Sequence, residues 1–239
     1  MRRAADDPEL LDGELDPRLL RGNLRDLERI NRWLGGVDLS RRAIRDLAAA
    51  VLPEPTVRIL DVGTGGADIP ADLLRSWGYA WPRPEVTAID SRPEVLAAAT
   101  ERRPGLAATA GLTLAVGDGR RLAYPDDSFH IAHASLVLHH LEPDDAVTFL
   151  ADLRRVATAG VIVNDLARAT IHWLGALAIG RCCTGNRYTR HDAPLSVRRA
   201  YTSGEMQALL ERAGLRPVRT AHGFLRHRYA ITAVRGRAA

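Results

Sequence analysis

The stretch "RILDVGTGGADIP", Arg58 to Pro70, constrains the fold more than any other part of the chain. An apolar run of strand character ends in an acid, a glycine-dense turn follows at once, and helix-like sequence resumes behind it. A strand that passes into a helix through so short a turn commits the region to βα packing. Ligand chemistry in such units sits at the carboxyl ends of the strands.

The same alternation recurs downstream. Strand-like runs are expected at 57–61, 85–90, 112–116, 129–134 and 161–164, with helix-like pieces at 67–77, 93–103 and 143–156. That rhythm predicts a mostly parallel sheet with helices on both faces. Ahead of it, Leu20, Leu24, Leu27, Ile30 and Leu34 recur at three- and four-residue steps. They form one apolar stripe on an amphipathic helix closed by Gly35-Gly36, and a second helix is expected over 39–52. After Asn164 the rhythm breaks for the segment 166–200. A helix over 203–213 and two runs at 216–221 and 227–234 close the chain, and the runs are too near each other for a crossover, so they predict an antiparallel hairpin. The expected organisation is a helical segment 1–52 and an α/β domain 53–239 into which 166–200 is inserted, either as a lid over a site or as a helix covering the sheet.

With 239 residues, 46% apolar and 26% charged, the chain can bury a substantial core. Its net charge of +4 could suggest a polyanionic partner, but all 33 basic residues are arginine and the Arg-Arg pairs are scattered among acids. No aromatic platform accompanies them, which speaks against nucleic acid. The two cysteines, Cys182 and Cys183, are adjacent and fit neither a disulfide nor a metal spacing. The first residues carry acids where a signal peptide needs an apolar run, and the apolar segment 169–180 is too short for a bilayer span. A cytoplasmic location is expected.

The glycine turn selects among ligands. A dinucleotide turn has a small residue where this chain has Asp68, and a carboxylate there would repel a pyrophosphate. The spacing D-x-G-x-G-x-A over Asp61, Gly63, Gly65 and Ala67 suits a ligand without phosphate, above all one bearing an ammonium that Asp61 or Asp68 attracts; the plainer reading makes Asp68 a helix cap. Asp90 ends the second strand, where a carboxylate can accept from both hydroxyls of a ribose. Asp118 follows the third, where it can accept from an adenine amino group. Three acids at the ends of three successive strands lie along one crevice.

These residues carry a resemblance to the class I S-adenosylmethionine-dependent methyltransferases. "ILDVGTGGADIP" resembles their first motif, "TAID" their ribose-binding acid, and "VGDGRRLAYPDDSFHIAHASLVLHHL" their adenine loop and fourth strand. The likeness runs from Val57 to Asn164 and is nearest to the small-molecule branch of ubiquinone/menaquinone-methylase type. It implies a Rossmann-like seven-stranded sheet with one antiparallel strand, S-adenosyl-L-methionine as cofactor, and cofactor contacts at Asp61, Gly63, Thr64, Gly65, Asp68, Asp90, Asp118, Gly119 and Ser135.

A sulfonium methyl is already activated, so such an enzyme mainly aligns an acceptor and excludes water. A phenol-like oxygen acceptor also benefits from a base. His139 and His140, just beyond the fourth strand, are the first candidates for it, against a purely structural role. His191, beside Asp192 in the inserted segment, is the next. No N/D-P-P-Y/F follows the fourth strand, which sets aside base amino methylation. The order Asn164-Asp165 is not the pattern of metal-dependent catechol methylation, so no metal is expected. Ile171, Trp173, Leu174, Leu177 and Ile179 offer apolar walls for a small acceptor of phenolic or quinone-like kind, methylated at oxygen. The rivals are methylation of protein or RNA, and a non-catalytic cofactor-binding partner.

Overall fold

A computed structural model describes residues 1–4, 7–49, 54–78 and 82–236. Seven strands form one sheet: β1 (Thr56–Val62), β2 (Arg83–Asp90), β3 (Leu112–Val116), β4 (Phe129–Ser135), β5 (Ala157–Leu166), β6 (Leu215–His222) and β7 (Arg228–Arg235). Their order is β3-β2-β1-β4-β5-β7-β6. The β1–β2, β1–β4, β2–β3 and β4–β5 pairs are parallel, while β7 runs antiparallel to both β5 and β6. The expected sheet, with its one reversed strand in a closing hairpin, is the one present. The chain order reverses direction across the sheet between β1 and β4, and that switch point opens a crevice at the strands' carboxyl ends.

The helices are α1 (Pro17–Trp33), α2 (Gly36–Ala48), α3 (Asp68–Trp77), α4 (Pro93–Arg102), α5 (Pro143–Val156), α6 (Thr170–Cys182), α7 (Arg187–Arg199) and α8 (Ser203–Arg212). One core cluster joins Leu60, Ile89, Ala132 and Val163 of the sheet to Phe149 and Leu150 of α5 and Met206 and Leu210 of α8. A second joins Ile59, Ile131 and Ile162 on the opposite face to Ile44 of α2 and Leu73 of α3. Burial on both faces is why the central strands read as near-continuous apolar runs. The expected end of the second helix, and the boundary at 52/53, fall outside the described residues.

The N-terminal helices lie within this architecture. Asp16 caps α1, accepting from the backbone N–H groups of Arg18 and Leu19 at 2.8 and 2.9 Å, with Pro17 at the first helical position. The first half of the apolar stripe, Leu20 and Leu24, packs on Val95 and Ala98 of α4. The inserted segment is two packed helices. Its second, α7, carries no helical signature in the sequence, because Pro194 interrupts a polar stretch. Asn186 starts it by accepting from Tyr188 N and Thr189 N. No helix among the described residues is long and apolar enough to cross a membrane.

Candidate active site

The turn after β1 is shaped by backbone geometry. Gly63 and Gly65 have φ of +70° and +54°, and an ideal Cβ on Gly63 would come within 2.5 Å of Val137 Cγ2. Ala67, where the family has its last glycine, takes the same left-handed region at φ +51° and buries its methyl in the core. Gly63 N and Thr64 N both donate to Ile89 O at 2.9 Å, stitching the turn to the next strand. Asp90 then locks it: its carboxylate accepts from Gly65 N at 3.0 Å and from Arg92 N at 3.1 Å. Burial pushes the Asp90 carboxyl above its ordinary value, against the pull of those two N–H groups.

A cavity of about 310 Å³ lies over this turn, lined by Gly63, Gly65, Asp90, Asp118 and Gly119 together with the apolar walls Val62, Val95, Val137 and Phe149. Gly119 is obligatory there, since a Cβ would come within 2.5 Å of Val62 Cγ1 and 2.7 Å of Phe149 Cε2. Asp118 accepts from Arg120 N at 2.9 Å and stays exposed. The donor set fits an adenosyl group: a fixed carboxylate for ribose, a second acid beside it, and flat apolar walls that can hold a base. Thr64 Oγ1 and Ser135 Oγ are buried without a protein partner, though neither residue lines the cavity.

Asp61 and Asp68, also expected as contacts, line neither cavity and have partners within the protein. Asp61 is buried on the far side of the turn, where its carboxylate meets His133 Nδ1 at 2.5 Å. His133 Nε2 reaches Ser40 Oγ at 2.8 Å, and Asn164 Nδ2 donates to that oxygen at 2.7 Å. This chain of polar groups runs through the interior under α2, and its partners could not be read from the local motif. Asp68 begins α3 and accepts from Asn31 Nδ2 of α1 at 2.8 Å. Burial raises its carboxyl pKa.

A second cavity of about 450 Å³ adjoins the first, and Leu11, Asn23, Leu27, Leu136 and His140 line both. The later part of the α1 stripe, Leu27, Ile30 and Leu34, walls it opposite Ile171, Gly175 and Ile179 of α6. Those three stand four residues apart on one helical face. Trp173, Leu174 and Leu177, expected as walls, fall outside the lining because the helical period turns them away.

At the junction stand His139 and His140. His139 is buried, its Nδ1 2.7 Å from Asp165 Oδ1, while its backbone N donates to Asp165 Oδ2 at 3.1 Å. Burial alone would raise the Asp165 carboxyl, but the charge and hydrogen bond of His139 hold it below the ordinary value. An ionised carboxylate only accepts, so Nδ1 donates in that bond and Nε2 is the ring's other nitrogen. That nitrogen lies 3.8 Å from Glu9 Oε1, and His140 Nε2 lies 3.9 Å from Glu9 Oε2. His140 Nδ1 stands 3.4 Å from Asp12 Oδ1. Burial would lower the His140 pKa, but Asp12 and Glu9 raise it above the ordinary histidine value.

Glu9 was invisible to sequence reasoning. It is buried 130 residues before His139, and Ser196 Oγ donates to it at 2.8 Å. Asp192 of α7 accepts from Leu10 N and Leu11 N at 2.9 and 3.1 Å, and Arg92 Nη1 donates to Leu11 O and Gly13 O at 2.8 Å each, so residues 9–13 form a strap over both cavities. His191 is exposed outside the cavity lining, its Nδ1 2.8 Å from Asp192 Oδ1. The ligand atoms of Glu9, His139 and His140 lie within 4.8 Å of one another. Their 3.8 and 3.9 Å gaps exceed the roughly 3.3 Å between ligands of a tetrahedral ion bonded at about 2.0–2.1 Å. They suit one oxygen atom held by hydrogen bonds.

Comparison with known proteins agrees with this geometry. The family profile described as "Methyltransferase domain" matches residues 59–160. The chain is 33% identical over 140 residues to malonyl-[acyl-carrier protein] O-methyltransferase of Halorhodospira halophila, covering 56% of this chain and 44% of that protein. It is 30% identical over 139 residues to demethylmenaquinone methyltransferase of Streptomyces griseus, covering 57% and 53%. The chain thus spans about half the length of the curated relatives it matches. Among solved structures, a SAM-dependent methyltransferase from Aquifex aeolicus superposes with a TM-score of 0.63 at 19% identity, over 92% of this chain and 98% of that one. Sheet order and matched stretch coincide: residues 59–160 match a methyltransferase domain, and the chain has the fold of a solved SAM-dependent methyltransferase.

Proposed function

We propose that the protein transfers the methyl group of S-adenosylmethionine to the oxygen of a small, largely apolar acceptor of phenolic or quinone-like kind. The observation that carries this reading is the junction of the two cavities. A mostly apolar chamber adjoins the adenosyl-type crevice at His140, which lines both, and beside it His139 lines the chamber with its ring fixed by Asp165. Both curated relatives are named for methyl transfer to molecules other than nucleic acid, which is consistent with it.

The chemistry follows from what each group can do. The bound cofactor supplies a methyl on a sulfonium, already electrophilic. Gly63, Gly65 and Asp90 hold its adenosyl end, and the strap with Leu11 and Leu27 excludes water from the junction. His139 Nε2 accepts the proton of the acceptor hydroxyl, and Asp165 stabilises the imidazolium that forms. An acceptor oxygen deprotonated in this way would take the methyl group that the cofactor supplies, its lone pair becoming the C–O bond while the C–S bonding pair would leave on sulfur. His140, carrying its proton, balances Glu9 and Asp12 so that the site does not hold uncompensated carboxylates. A methyltransferase of large substrates would need an open groove to the junction, whereas here α1, α6 and the strap wall it in.

The test is a thermal shift followed by turnover. S-adenosylhomocysteine should raise the melting temperature and NAD should not. Incubation with S-adenosylmethionine and a panel of apolar phenols and hydroquinones should yield methyl ethers detectable by mass spectrometry. Stabilisation by NAD alone would overturn the cofactor assignment, and methylation of protein or RNA with none of phenols would overturn the acceptor class.

A further inference from the structure

The large apolar side chains left exposed are not spread evenly. Ile171 is 68% exposed, Phe224 71% and Leu225 73%, and all three also line the 450 Å³ chamber, so they form its mouth. Leu174, one turn along α6 from Ile171, is 49% exposed, and Trp33, next to the chamber residue Leu34, is 73% exposed. An apolar rim of this kind marks an interaction surface.

The rim is held outward at a cost. Leu225 and Arg226 take φ of +50° and +57°, a left-handed conformation that disfavours residues with a Cβ. The turn is tied to α6, since both ring nitrogens of His172 face carbonyl oxygens, Ala167 O at 2.8 Å and Leu225 O at 3.1 Å. The result is a turn that presents two apolar side chains, Phe224 and Leu225, to solvent.

Charge says what the tip meets. The chain has no acid between Leu166 and His191, and none after Glu211, although the same stretches hold many arginines. Arg181, Arg187, Arg190 and Arg226 make no salt bridge with the described residues. An apolar tip flanked by segments that hold arginines and no acid is the pattern that inserts into the boundary of an anionic bilayer, although Trp33 on α1 has Asp26 and Glu28 nearby, both paired with arginines.

We infer that the rim formed by Trp33, α6 and the 223–227 turn docks on an anionic lipid surface, from which an apolar acceptor enters the chamber. The docking itself is independent of the reaction; the route of the acceptor rests on the reading of the chamber as the acceptor site. Depth is shallow, limited to side chains, since no described helix can span a membrane.

Co-sedimentation of the full chain with vesicles tests it. Phosphatidylcholine vesicles containing phosphatidylglycerol should retain the protein, pure phosphatidylcholine much less, and added salt should release it. The double change Phe224→Ser, Leu225→Ser should cut partitioning by about tenfold, while stabilisation by S-adenosylhomocysteine stays as in the wild type. With the wild-type protein, brominated phospholipids should quench tryptophan emission, a readout that needs no variant. Absence of both sedimentation and quenching with anionic vesicles overturns the proposal, as does undiminished binding of the double variant. A dimer broken by the double variant, or capture of an acidic carrier protein, without vesicle binding also overturns it. Loss of stabilisation by S-adenosylhomocysteine in the wild type would instead strike the methyltransferase reading.

Discussion

Asp165, at the end of β5, accepts two hydrogen bonds from one residue, His139: the ring Nδ1 at 2.7 Å and the backbone N at 3.1 Å. The pair is fixed in both position and tautomer, which is what a base needs before substrate arrives. Asp165→Asn keeps the shape but can donate to Nδ1, favouring the tautomer whose lone pair faces the wrong way. Turnover should fall by roughly 10²–10⁴-fold, the usual contribution of a positioned base. Titration calorimetry should show S-adenosylhomocysteine binding unchanged. A variant with full activity would leave His139 only a structural role.

Asp90 anchors the glycine turn as well as facing the crevice. Asp90→Ala should weaken the cofactor by about 1–3 kcal/mol, from lost charge-assisted hydrogen bonds. Part of that loss comes from Gly65 N and Arg92 N, which it would leave without their acceptor. Asp90→Asn retains one oxygen and should lose less. Equal affinity in all three proteins by calorimetry would remove Asp90 from the site.

The interior chain under α2 predicts a stability effect without a cofactor effect. His133→Leu removes the partner of buried Asp61 and leaves its carboxylate unpaired, which should cost roughly 3–5 kcal/mol in denaturant unfolding. Asp61→Asn should cost less and leave S-adenosylhomocysteine affinity near normal. A loss of affinity matching that of Asp90→Asn would return Asp61 to the cofactor contacts.

What was legible in the sequence divides along physical lines. Strands buried on both faces and acids at their ends are local patterns, so the sheet, the hairpin and the Gly63–Asp90 corner could be read directly. The partners of Asp61 and Glu9 could not, because His133 lies 72 residues away and Ser196 lies 187 away, and nothing in the local pattern ties them. The α1 stripe was legible as an apolar face but not in its division of labour. Leu20 and Leu24 pack on α4, while Leu27, Ile30 and Leu34 wall a cavity, a distinction set by what lies opposite. Helix α7 was hidden by Pro194 in a polar stretch whose burial is supplied by the strap and α1.

His140 gives the site a pH signature. Its pKa is raised in the folded protein by Asp12 and Glu9, with Asp165 and Arg199 also near the cluster. A raised histidine contributes stability that is fully present below the unfolded value of about 6.5 and is lost as pH rises through the folded value. The carboxyl of Asp12 is lowered, by its bond to His140 against its own burial, so its share is present above the unfolded carboxylate value and lost as acid protonates it. The melting-temperature gap between wild type and His140→Asn should therefore be widest just below pH 6.5 and narrow toward alkaline pH. A gap that grows with pH would reverse the assignment.

The neighbouring residues His191 and Asp192 separate two roles that adjacency in sequence confounds. His191 is exposed and lines neither cavity, so His191→Ala should leave both kcat and acceptor KM near normal. Asp192 is buried and holds the strap through Leu10 N and Leu11 N, so Asp192→Ala orphans two backbone donors at a cost of about 1–3 kcal/mol. Freed, the strap carries Glu9 away from His139 and His140 and takes Leu11 out of both cavity walls. Acceptor KM should rise and kcat should fall together, because the junction is both less enclosed and less well ordered. Replacing "RHDAPLS" by a Gly-Ser linker should reproduce the Asp192→Ala defect in exaggerated form, including a loss of thermal stability, since Asp192, Leu195 and Ser196 are buried. A deep loss of rate in His191→Ala that worsens at low pH, with Asp192→Ala active, would move the base to α7 and remove it from His139.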